Sequence, residues 1–138
     1  MEETKLKIGK MYVAVLKDVI WEYDHIRNIY VVKFKYIVYL SPTETREVED
    51  VFYWWDSPRY RANTINKMIK ISQMYDIRLN DKDYKSEFAF AGAFKWLIDT
   101  RVVISPYRYR GIKYKVVCTE RNNWEDTISL WNYMKKNN

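Results

Sequence analysis

Hydrophobic and polar positions alternate with a period of two over much of this chain, the pattern of half-buried β-strands. It is clearest at Ile29–Leu40. There Val32, Phe34, Tyr36, Val38 and Leu40 share one face, and Val31, Lys33, Lys35, Ile37 and Tyr39 share the other. One face reads as core, the other as cationic with a tyrosine at its end. An earlier strand over Lys5–Leu16 carries Leu6, Ile8, Met11, Tyr12, Val13, Val15 and Leu16, with Gly9 marking a bulge or a tight bend. The polar stretch Trp21–Asn28 reads as the loop between these two strands. Ser41-Pro42-Thr43-Glu44 is a turn, and Val48–Trp55 resumes strand-forming residues. The three strands fit an antiparallel meander.

The period then changes. Ser57-Pro58 is a helix start, and Ile65, Met68, Ile69, Ser72 and Tyr75 follow at helical spacing. After a break at Asn80-Asp81-Lys82-Asp83, Tyr84–Ile98 fits either a second helix or the approach to a strand. Phe90, Phe94 and Leu97 have helical spacing, while Gly92 disfavours a helix. Arg101–Ile104 and Ile112–Thr119 read as a hairpin whose long tip is Ser105–Gly111. Asn122 or Asn123 caps a last helix, about 123–136, with Trp124, Ile128, Trp131 and Met134 on one stripe. No repeat or linker divides the chain, so residues 1–138 are expected to form one domain, with a barrel over about 5–120. The predicted class is mainly β with helices. Its architecture is a five-stranded OB-like Greek-key barrel with a helix between strands three and four and a C-terminal helix.

Composition narrows the function classes. The net charge is +6, and thirteen Tyr and six Trp supply more rings than a disordered basic tail would hold. No apolar run approaches the length of a membrane span, and Lys5, Lys7 and Lys10 precede no secretory core segment. Cys118 is the single cysteine, which excludes an internal disulfide or a cysteine-based zinc site and points to a reducing, cytoplasmic setting. His25 is the single histidine, which argues against a His-rich metal centre and a Ser-His-Asp triad. Asp81-Lys82-Asp83 and the Glu44, Glu47, Glu49, Asp50 cluster lack the spacing of a Mg²⁺ site and read as turns and a solvated strand face. The expectation is a binder rather than an enzyme, with no catalytic residue, metal or cofactor.

Three groupings of cations and rings point to the ligand. Tyr107-Arg108-Tyr109-Arg110 lies at the hairpin tip, with Lys113 and Lys115 beyond it. Lys33, Lys35 and Tyr39 share the outer face of strand two, and Trp55 lies near Arg59 and Arg61. Single-stranded nucleic acid requires this combination, because cations track the phosphates while flat rings stack on unpaired bases. The plainer alternative is a solvated sheet, since Tyr is a good strand residue and Lys a common outward one. Of Trp54 and Trp55, one faces the core, and the other is either open to solvent or buried as well by the barrel and its helix. The Trp124, Ile128, Trp131, Met134 stripe either packs on the barrel or pairs with a second copy as a homodimer.

Gly9-Lys10-Met11-Tyr12 at the barrel's start, Val51–Trp55 leading into the Pro58 helix, and Tyr109-Arg110-Gly111-Ile112-Lys113-Tyr114 as a closing hairpin resemble phage-encoded single-stranded-DNA-binding proteins of the OB-fold class. The resemblance implies sheathing of single-stranded DNA during phage replication or recombination, in the host cytoplasm, often as a dimer or higher oligomer. It places Lys33, Lys35, Tyr39, Tyr107, Arg108, Tyr109, Lys113 and Lys115 around the groove. Such proteins often end in an acidic tail, whereas this sequence ends Lys-Lys-Asn-Asn. The alternative partner class is a host protein, with the chain acting as a small phage inhibitor of a nucleic-acid machine of the anti-CRISPR type.

Overall fold

The alternating segments all become strands of one sheet. A computed structural model describes residues 6–120 together with Ser129, Trp131 and Asn132. The elements are β1 (Tyr12–Asp24), β2 (Ile29–Tyr39), β3 (Thr45–Trp54), α1 (Arg61–Met74), α2 (Glu87–Gly92), β4 (Arg101–Arg108) and β5 (Ile112–Thr119). Neighbouring strands pair antiparallel in the order β3-β2-β1-β4-β5. Over residues 6–120 the fold is therefore mainly β, one open five-stranded sheet with the helices α1 and α2.

The sheet does not close as the expected barrel would. Among the described residues no backbone ladder joins β3 to β5. The two edges meet through side chains instead. Lys113 Nζ donates to the Val51 carbonyl at 2.8 Å, and the Tyr114 amide donates to Asp50 Oδ1 at 3.4 Å. Asp50 stands opposite Phe34, on the inward face of β3, so a carboxylate receives an amide that strand pairing would have given to a backbone carbonyl.

Several boundaries differ from the sequence reading. Trp21–Asp24, expected as loop, extend β1 and pair with Ile29–Val32. Gly9 is not the bulge: it sits in a turn at φ +83 and donates its amide to the Pro106 carbonyl at 2.9 Å, while the bulge in β1 falls between Leu16 and Asp18. The β1–β2 turn is held by Asp24, whose Oδ1 accepts the Ile26 and Arg27 amides at 2.9 and 3.1 Å. At the other hairpin Ser105–Arg108 belong to the ladder, so the tip shortens to Tyr109-Arg110-Gly111. Arg110 at φ 50 and Gly111 at φ 107 make that tight reversal.

One face of the sheet is closed by the helices. α1 follows a turn in which the Ser57 carbonyl accepts the Tyr60 and Arg61 amides. It buries Thr64, Met68 and Ser72, whereas Ile69, one of the residues at helical spacing, faces solvent. The ambiguous segment is helical: 3-10 turns at Asp81–Tyr84 and Lys95–Leu97 flank α2, which Ser86 caps by accepting the Ala89 amide. Phe90, Phe94 and Leu97 are buried as helical spacing requires. Their rings interlock with the sheet, Phe34 lying 5.1 Å from Phe94 and Phe52 5.3 Å from Phe90. The Tyr36 and Tyr75 hydroxyls, both buried, bond to each other.

Trp124, Ile128 and Met134 lie outside the described residues. Trp131, from the same stripe, meets Tyr39 edge-on at 4.8 Å, with the Arg101 guanidinium 5.8 Å from its ring. Among the described residues no helix is long and apolar enough to cross a membrane.

Candidate functional site

The shortened β4–β5 hairpin leaves its rings open. Tyr107 is 44% and Tyr109 58% exposed, and the Arg110 guanidinium lies 5.8 Å from the Tyr109 ring. Arg108 and Lys115 are exposed as well. Lys113, opposite Tyr107 in the ladder, instead reaches across to β3, where its Nζ stands 5.0 Å from the centroid of Tyr53. The Arg27 guanidinium, from the β1–β2 turn, stands at the same distance from the same ring. Burial lowers the Lys113 pKa. Asp50 opposes that shift, while the nearby charges of Lys67 on α1 and Arg27 add to it. Cations from two separate hairpins thus meet at Tyr53, with the charge of Lys67 on α1 felt by Lys113. Arg27 is also bound by Asp24, at 3.0 Å.

Behind this cluster lies a polar seam. Burial of the Asp50 carboxyl raises its pKa to about 6, against the lowering effects of Lys113 and the Tyr114 amide. Tyr107 and Tyr114 are raised by burial and then by the Asp50 charge. Tyr36 and Tyr75 are raised chiefly by burial.

The strand-two cations are placed on the outer face of the sheet, as alternation requires, but in ion pairs. Lys33 pairs with Glu22 and with Glu49, the latter at 3.6 Å, and Lys35 pairs with Glu49 at 3.6 Å. Tyr39, at the end of that face, is the residue Trp131 covers. Lys33 and Lys35 share the face of Tyr53, opposite Val51 and Glu49 in the β2–β3 ladder.

Trp54 is buried, and Trp55 is the exposed member of the pair. Trp55 and Tyr60, 6.0 Å apart, line one part of a groove of about 580 Å³. Tyr23 and Tyr30, 5.1 Å apart, line another, with Arg27 and Lys85 among the charged residues. Arg59 lies over Tyr60 at 5.2 Å. Arg61 lies over Trp54 at 5.4 Å, pairs with Asp56 at 3.3 Å and donates to the Tyr84 carbonyl. The structure therefore brings Tyr107 and Lys113 together with Arg27 and Tyr53, and puts Trp55 on the neighbouring groove with Arg59 against its Tyr60 wall.

Arg27, Tyr53, Lys67, Tyr23, Tyr30 and Lys85 were not singled out as site residues from the sequence. One signal for the tyrosines existed: Tyr23 and Tyr30 flank the turn in register, as hairpin partners. Among the described residues no group of three or more His, Cys, Asp or Glu is arranged to hold a metal ion. The chain matches no protein-family model and no curated protein.

Proposed function

We propose that this protein binds single-stranded DNA without catalysing its conversion and with little sequence preference. The observation that carries the reading is the convergence of Arg27 and Lys113 on Tyr53 beside the open rings of Tyr107 and Tyr109. Each cation already has a carboxylate neighbour, Asp24 for Arg27 and Asp50 for Lys113, but Arg27 keeps about half of its side chain exposed beside its pair, and a phosphate backbone supplies further anions at regular spacing. Tyr107 and Tyr109 offer faces to unpaired bases, and duplex bases have no free face to meet them.

The sheet order supports an OB-like reading of the architecture. An OB-type barrel is a partly open five-stranded Greek key that binds oligonucleotides on its second and third strands, between the β1–β2 and β4–β5 loops. Here the β1–β2 turn supplies Arg27, β3 supplies Tyr53 and the β4–β5 hairpin supplies Lys113.

The test is fluorescence anisotropy of a labelled oligonucleotide of about thirty bases, long enough for any single site of this class. Binding at low salt that weakens in the Tyr107→Ala, Tyr109→Ala double variant supports the proposal. Absence of binding at low salt rejects it. One observation favours a second reading, a protein-binding face: Phe88 is 66% exposed and meets Trp21 edge-on at 6.1 Å. Capture of a defined host protein that survives nuclease treatment, without oligonucleotide binding, would favour that reading instead.

A further inference from the structure

The groove between the β1–β2 turn and the β3–α1 connection is separate from the Tyr53 cluster, but the two share a side chain. Arg27 lies over Tyr53 and also lines the groove. Beyond Arg27 the groove presents the Tyr23–Tyr30 and Trp55–Tyr60 ring pairs, with about 580 Å³ of open volume among them. Trp55 is 38% and Tyr60 41% exposed, so both rings have free surface.

The charges around the groove favour an anionic occupant. Arg27 and Lys85 line it, and Arg59 stands over Tyr60. Arg27 is paired with Asp24 and Asp56 with Arg61, which leaves Lys85 and the adjacent Arg59 against Glu87. A strand of unpaired nucleotides matches both features, with bases among the rings and phosphates along Arg27, Lys85 and Arg59.

We infer that this groove is a second base-stacking subsite, and that one unpaired strand runs from Tyr107 and Tyr109 past Arg27 to Trp55 and Tyr60. The inference rests on the single-strand reading above and extends it to a surface on the far side of Arg27. A short oligonucleotide fills only the hairpin end; a longer one gains affinity by reaching the groove.

The experiment uses the full chain with 4-thiothymidine oligonucleotides of about six and about twelve nucleotides, within the usual span of such sites. Cross-linked residues are located by mass spectrometry and affinities measured by anisotropy. The longer probe is expected to cross-link at Trp55 or Tyr60 as well as at the hairpin. The Trp55→Ala, Tyr60→Ala double variant is expected to lose about fivefold or more in affinity for it, while binding the shorter probe as the wild type does. Lys85→Glu, an exposed change, reads the same subsite without removing a ring and should weaken the longer probe alone. Cross-links confined to the hairpin, with both variants binding the longer probe normally, overturn the subsite and leave the hairpin site standing. If neither probe binds the wild type at low salt, the single-strand reading itself has failed.

Discussion

Arg27 and Lys113 belong to different hairpins, yet each places its cation 5.0 Å from the centroid of Tyr53. The meeting is possible because β5 swings beside β3 without forming a ladder with it. Lys113 is anchored there by its bond to the Val51 carbonyl, which fixes its position at some cost in solvation.

Arg27→Ala and Lys113→Ala should therefore weaken binding of single-stranded oligonucleotides chiefly through electrostatics. If each contacts one phosphate, each substitution lowers the slope of log affinity against log salt by about 0.7. Titrations at four or five salt concentrations check this. An unchanged slope for both variants removes these side chains from the phosphate path.

Tyr107→Ala and Tyr109→Ala act differently, because stacking carries no counterion release. Each is expected to cost about 1–3 kcal/mol of binding and to leave the salt slope unaltered. Both side chains are exposed, so thermal unfolding should shift little.

Lys33→Ala and Lys35→Ala supply a contrast. Lys33 is held between Glu22 and Glu49 and Lys35 shares Glu49, whereas Arg27 has the single partner Asp24 and keeps 51% of its side chain exposed, so loss of either lysine is expected to change oligonucleotide affinity by no more than about twofold. As mostly solvated pairs they should contribute about 0–1 kcal/mol to stability. A large loss of affinity would mean that bound DNA breaks these pairs.

Asp50 makes stability depend on pH. Its folded pKa, about 6, lies above the ordinary carboxylate value, so the folded state holds its proton more tightly than the unfolded one. Its contribution is fully present below about pH 4 and is lost as pH rises through about 6. Asp50→Asn should accordingly stabilise the protein at pH 7.5 by about 2 kcal/mol and change little at pH 4. Denaturant melts of both proteins at the two pH values decide it. Equal differences at both would show that Asp50 does not titrate in this window.

The legible parts of the fold were those whose neighbours in sequence carry the pattern. β2 alternates strictly, so its two faces follow from parity alone, and Phe90, Phe94 and Leu97 mark a helical stripe despite Gly92. Glu47, Glu49 and Asp50 read as one acidic cluster, yet the first two point outward and Asp50 inward, because adjacent strand residues face opposite ways. That single inward carboxylate contributes to the open seam. Trp21–Asp24 resembled loop because the end of β1 overhangs the core and has no strongly apolar face to keep. The exposed rings and cations of the β4–β5 hairpin were readable locally. Arg27 was not, since a cation in a turn means little until β5 is brought alongside it.

The most direct test is a salt-dependent titration of the wild-type chain with matched single-stranded and duplex oligonucleotides. Tighter binding to the single strand at every salt concentration, with a slope corresponding to several phosphates, is the expected result. Equal affinity for the two forms, or preference for the duplex, would reduce the Tyr53 cluster to a generic basic surface and contradict the stacking role of Tyr107 and Tyr109.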